Sequence, residues 1–214
     1  MRRKNDSTPF DELLGKVRDL PEGYRGQILD GEIHVSPPPS AARAHTIAEI
    51  TAMLVAGSSL GDPVPEAWGF QPGAEIAVGA EGFVVADVAG FRASSRELAS
   101  AATPLRIAPA WVCEVLCDRT RNFTPTRKRR AYAELGVAHL WIAEPEAQVL
   151  EVFVNQRGKW LLWGSLAGEE RAAAPPFEDL HFDAGELWIP TAVKLPPMPA
   201  APPSSRRRAA LDRR

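Results

Sequence analysis

Ala110-Trp111-Val112-Cys113-Glu114-Val115-Leu116 is an apolar run broken by one carboxylate, and its reading decides the fold. The run has strand length and no polar alternation, so it reads as a strand buried on both faces. Downstream, Thr124-Pro125 offers a capping hydroxyl and a proline for a first helical turn. Ala131, Tyr132 and Leu135 then give that helix an inward side, and Gly136 ends it. Val137 to Ala143 reads as the next strand. Gln148 to Val154 and Lys159 to Trp163 read as a hairpin around Asn155-Gln156-Arg157-Gly158.

Upstream of the run, Phe83 to Ala89 is a strand, separated by a Gly-Ala-Glu-Gly turn from another at Ala74 to Val78, with Trp68 to Phe70 before it. Ala41 to Val55 has Ala44, Ile47, Ala48, Ile50 and Leu54 at helical spacing, with Gly57 as its expected stop. Gly26 to Val35 folds about Asp30-Gly31, the dipeptide that most readily supplies positive φ in a tight hairpin. Ser36-Pro37-Pro38-Pro39-Ser40 ends that hairpin, because consecutive prolines remove ladder donors. The order gives an α/β fold, with α+β the other arrangement it allows, built on a mixed sheet flanked by helices. Residues 1–19 are expected as a lead-in with a short helix near Asp11 to Asp19, residues 20–194 as the domain, and residues 195–214, rich in proline and arginine, as a disordered tail.

The 214 residues are 45% hydrophobic and 24% charged, enough for one domain with its own core. Two cysteines, Cys113 and Cys117, cannot staple a small scaffold or build a four-ligand zinc site, and both are expected reduced. No apolar run approaches the roughly 20 residues of a membrane helix, and polar residues follow Met1-Arg2-Arg3-Lys4, so a cytoplasmic protein is expected. The net charge of -2 combines about +4 on the last eleven residues with about -6 elsewhere. A second basic island runs from Cys117 to Arg130 inside the domain. Global charge therefore argues neither for nor against a nucleic-acid partner.

Asp87 and Glu114 each interrupt an apolar strand, and such acids need a partner or a cation. Two acids on neighbouring strands suit Mg²⁺ or Mn²⁺, which takes one or two protein carboxylates and leaves other positions to water and phosphate. Lys128 follows on a helix that can return over the Glu114 strand, and Tyr132, four residues on, shares its face. Plainer readings stand beside these. Asp87 could cap a loop amide, Glu114 could pair with Arg119 or Arg121, and Lys128 could belong to a solvated basic face. His45 at a helix start reads as packing or capping. His34, His139 and His181 are scattered, and the tryptophans read as core or hairpin packing.

At these residues the chain resembles the bacterial Uma-type restriction endonucleases, a domain-of-unknown-function group in the PD-(D/E)XK phosphodiesterase superfamily. The resemblance is carried by Gly23-Tyr24-Arg25 through Ile28-Leu29-Asp30-Gly31-Glu32, Ser36-Pro37-Pro38-Pro39, His45 and Ala86-Asp87-Val88-Ala89. Its most distinctive part runs from Glu114-Val115-Leu116 through Arg127-Lys128-Arg129-Arg130-Ala131-Tyr132 to Gly136-Val137-Ala138-His139-Leu140-Trp141-Ile142. It implies a restriction-endonuclease-like core in which Asp87 and Glu114 bind Mg²⁺ and Lys128 takes a position displaced from Leu116 onto the following helix. The chain departs from the family with Gln27 where a glutamate is usual, Ala86 where a proline is usual and Cys117 where a serine is common.

The expected function is Mg²⁺-dependent hydrolysis of DNA phosphodiester bonds, weakened by Gln27. Asp87, Glu114, Lys128 and Gln27 would be the catalytic set. Arg119, Arg121, Arg127, Arg129, Arg130 and Tyr132 would contact nucleic acid, and a twofold dimer would suit cleavage of both strands. The alternative is a catalytically inactive nuclease-fold protein that binds nucleic acid or a protein partner.

Overall fold

The computed structural model describes residues 8–59, 68–92, 98, 100–116, 124–168 and 170–189. Cys117, Arg119, Arg121 and the tail from 195 onward therefore lie outside the described residues. Helix α1 (Pro9–Arg18) is closed at its start by a capping box between Thr8 and Asp11 and ends beside β1, where Val17 packs with Ile28 and Phe83. Strands β1 (Arg25–Leu29) and β2 (Glu32–Ser36) form the expected hairpin, with Gln27 opposite His34. Asp30 and Gly31 make its turn with φ of 53° and 74°, the left-handed pair that such a short connection needs.

Helix α2 (Ala41–Ser59) runs through Gly57, which is no stop. A Cβ there would meet Leu180 Cδ1 at 2.6 Å, so glycine serves close packing against β10 (Phe177–Asp183). The segments Trp68 to Phe70 and Ala74 to Val78 belong to one strand, β3 (Gly69–Val78). It passes through Gly73 at a φ of 65°, and its register with β4 (Gly82–Phe91) is the same on either side, Pro72↔Val88 and Ala74↔Ala86. Strand β5 (Trp111–Val115) is buried throughout. The helix after it opens as a π-helical turn over Thr124–Lys128 and continues as α3 (Arg129–Glu134), with Gly136 beyond at a φ of 76°. β6 (His139–Glu144), β7 (Val149–Gln156) and β8 (Lys159–Ala167) complete the main sheet. Sequence periodicity gave no hint of β9 (Arg171–Ala174), β10 or the 3-10 turn Ala184–Leu187, which form a separate two-stranded layer.

The eight-stranded sheet has the order β2-β1-β4-β5-β6-β7-β8, with β3 paired to β4. Among the described strands only β5 and β6 pair in parallel, because α3 lies in the crossover between them, so the sheet is mixed. On one face α3 covers Val112, Leu116, Leu140 and Ile142 with Ala131 and Tyr132. On the other, Ile50 and Leu54 of α2 meet Val88, Trp111, Cys113, Val115 and Trp141, with Phe182 and Leu187 closing the layer. Trp111 and Trp141 meet edge to face at 5.3 Å within this core, whereas Trp163 on β8 is exposed and packs in neither. Among the described residues no helix is long and apolar enough to cross a membrane.

Candidate active site

Strand β4 has three partners but only two edges. β3 occupies one edge along its whole length, so β1 and β5 must share the other. β1 meets it at Phe83, β5 meets it from Val88 to Gly90, and the stretch between lacks a strand partner there. Side chains fill that gap. Gln27 Oε1 accepts from the Val85 N–H at 3.2 Å, and Lys128 Nζ donates to the Val85 carbonyl at 2.7 Å. Both backbone groups of Val85 are thereby satisfied without a ladder, as buried peptide groups require.

Asp87 and Glu114 lie just past the last pair of the β4–β5 ladder, Val88↔Cys113. Lys128 Nζ donates to both Glu114 oxygens, at 3.0 and 2.7 Å, and the Tyr132 hydroxyl donates to Glu114 Oε1. Asp87 Oδ2 accepts the Val115 N–H at 2.8 Å, and Asp87 Oδ1 accepts from Arg43 Nη2. Arg43 Nε also donates to the Val115 carbonyl at 2.8 Å. Arg43 comes from α2 on one face of the sheet and Lys128 from the turn before α3 on the other. Gln27, Arg43, Asp87, Glu114 and Lys128 are all buried, none more than 6% exposed. A narrow cleft lined by Arg25, Gln27, Ser36, Arg43, Val85, Asp87 and Lys128 opens onto all of these but Glu114.

Burial pushes the Glu114 carboxyl above the usual glutamate value. Lys128 opposes that shift, and the Asp87 charge adds to it. Burial, followed by the Glu114 charge, holds the Tyr132 phenol well above its usual value. Cys113 is free, and its thiol is likewise pushed well up by burial.

The structure thus brings Gln27, Asp87, Glu114 and Lys128 together. Of the three plainer readings, Lys128 is buried and on no solvated face, Glu114 takes Lys128 as its cation where Arg119 or Arg121 was the candidate, and Asp87 accepts a backbone amide, that of Val115 in a strand and not a loop, as well as Arg43. The residues expected to contact nucleic acid separate. Arg127 pairs with Glu32 at 2.7 Å and Arg130 with Asp30 at 2.7 Å, tying the helix to the hairpin that carries Gln27. Arg129 lies over the Phe153 ring at 4.0 Å. Tyr132 is fully buried and presents no surface to a ligand; its hydroxyl positions Glu114. His45 lies 3.9 Å from Glu49 on its own helix. Sequence reasoning missed Arg43, although a lone cation in the apolar stretch Ala41 to Leu54 was a signal of the same kind as Asp87 in β4.

A family model described as Uma2, putative restriction endonuclease, matches residues 10–185. The chain belongs to the Uma2 family. A crystal structure described as that of a putative nuclease belonging to DUF820, from Anabaena variabilis ATCC 29413, superposes with a TM-score of 0.62 at 18% identity. The match covers 85% of this chain and 97% of that one, and it shows that the Uma2-family chain has the same restriction-endonuclease-like fold. No curated protein matches the chain.

Within this Uma2-family site the donors are oxygens, two carboxylates side by side and one amide carbonyl, which suits Mg²⁺ in kind. Among the described residues no three His, Cys, Asp or Glu side chains are grouped to hold a metal ion. Both carboxylates already carry a buried cation.

Proposed function

We propose that the chain is a divalent-cation-dependent endonuclease that hydrolyses DNA phosphodiester bonds and is held at low activity by Gln27. The observation that carries this reading is the convergence of Gln27, Asp87, Glu114 and Lys128 on one open edge of β4 beside a cleft. Asp87 and Glu114 would hold Mg²⁺ or Mn²⁺, which when bound supplies an activated water and charge stabilisation at the phosphorus. Lys128 offsets negative charge developing on the phosphate, and Tyr132 fixes the Glu114 carboxylate. Arg127, Arg129 and Arg130, with Arg119 and Arg121, supply cations for backbone phosphates. The protein would act in the cytoplasm, with a twofold dimer serving both strands. Nicking of supercoiled plasmid with Mg²⁺ or Mn²⁺ tests the reading. Slow nicking by wild type, faster by Gln27→Glu and none by Asp87→Ala is expected; equal rates in all three would overturn it.

The neutralisation of each carboxylate by its own buried cation favours a second reading, a non-catalytic nuclease fold that binds nucleic acid. Salt-dependent DNA binding without cleavage, even in Gln27→Glu, would select it.

A further inference from the structure

The four buried charges of the site balance: Asp87 and Glu114 against Arg43 and Lys128. Lys128 spans Glu114 and the Val85 carbonyl, whereas Arg43 does different work at Asp87. Its guanidinium reaches one Asp87 oxygen and the Val115 carbonyl, while the Val115 N–H takes the other Asp87 oxygen, so β4 and β5 are clasped where their ladder has ended. A planar fork suits that two-point contact, which an ammonium could not reproduce. The Asp87 carboxylate therefore has each oxygen engaged, and the nearest positive charge is covalently part of the chain. A carboxylate at position 27 would leave the cluster one negative charge in excess, but the neutral Gln27 leaves it balanced with no ion present.

We propose that Arg43 holds the cation position at Asp87, so that divalent-metal occupancy of the site depends on whether its guanidinium stays or leaves. Arg43 is a positioning residue, acting through Asp87. The neutral amide at Gln27 and the resident arginine are two halves of one arrangement: the first removes the attraction for a metal and the second replaces the metal. This inference rests on reading the site as one that uses a metal, and it goes further by assigning the reason for weak binding to Arg43.

Calorimetric titration of the full chain with Mn²⁺ tests it, after circular dichroism has established that each variant is folded. Arg43→Met should bind Mn²⁺ at least tenfold more tightly than wild type, and adding Asp87→Asn should remove that gain. Arg43→Lys keeps the charge but not the two-point contact, so it should lose stability while binding Mn²⁺ no more tightly than wild type. Should Arg43→Met fail to fold, Arg43→Gln, which keeps a donor for Val115 or Asp87, is read in its place with the same expectation. A purely structural arginine would lose stability on substitution without any tightening of metal binding. Folded Arg43→Met or Arg43→Gln with Mn²⁺ affinity no better than wild type would overturn the proposal. Were Gln27→Glu then to bind and cut, the nuclease reading would stand without it. Tight binding in the Arg43 variants with no cleavage by any variant would instead leave this proposal standing and sink the nuclease reading.

Discussion

Lys128 and Glu114 form an ion pair at 2.7 Å in which both side chains are almost wholly buried, and the same ammonium closes the free edge of β4 through the Val85 carbonyl. The pair therefore belongs to the sheet as much as to the site.

Lys128→Met should abolish cleavage and also destabilise the protein, because it leaves a buried carboxylate without its cation. The cost expected is about 3–5 kcal/mol, read from urea unfolding. Adding Glu114→Gln should recover much of it, since the uncompensated charge is gone. A double-mutant cycle with no coupling would show that the pair is not buried as described.

Gln27 has a backbone duty that separates its two substitutions. Gln27→Ala strands the Val85 N–H and should cost about 1–3 kcal/mol of stability. Gln27→Glu keeps an acceptor at that position but adds an unpaired buried charge, so its thermal midpoint should fall without metal and recover as Mn²⁺, bound more tightly than by wild type, is added.

Tyr132→Phe removes a buried hydroxyl from Glu114 and little else. A loss of about 1.5–3 kcal/mol is expected, because the acceptor is charged. DNA affinity should not change, since Tyr132 has no exposed surface. Weakened DNA binding at full folding would show that the ring reaches the ligand.

His139 has its pKa pushed below the ordinary imidazole value of 6.5, chiefly by burial, with Glu178 pulling the other way. The folded protein thus resists protonating it more than the unfolded chain does. The stability it contributes is complete above pH 6.5 and drains as pH falls through that value toward the depressed one. His139→Gln should flatten urea midpoints across that acid window. An unchanged slope would assign the loss to other groups.

Truncation after Leu195 removes about +4 of charge and should make DNA binding less salt-dependent. Fluorescence anisotropy at several salt concentrations measures the slope, and an unaltered one would show that these arginines do not meet phosphate.

The strands bearing Asp87 and Glu114 were legible because a charge in an apolar run is a local anomaly, and the hairpin was legible because Asp30-Gly31 demands a turn. The helix pairing of Lys128 with Tyr132 followed from spacing four apart. What was not legible depends on partners far away in sequence. Gln27 looked like a neutral strand residue or a weak ligand, and its bond to Val85 exists only because β1 and β5 stop short of each other on β4. Arg43 sits 44 residues from Asp87, and nothing local says which face of the sheet it reaches around. Gly57 punctuates like a stop, but the decisive fact is Leu180, which lies in a layer that periodicity did not reveal. Trp163 carried a strand's composition without a core to enter.

The interrupted edge of β4 has a consequence for descent. Here Lys128 and Gln27 finish the sheet's own hydrogen bonding, so a lineage that lost the chemistry would still find Lys128 costly to discard on its own. In this architecture, survival of the motif certifies ancestry and foldedness. If Arg43 acts as proposed, the fate of the chemistry is decided apart from the motif, at Gln27 and Arg43, where a neutral amide and an internal cation would retire the centre while every hallmark stays in place.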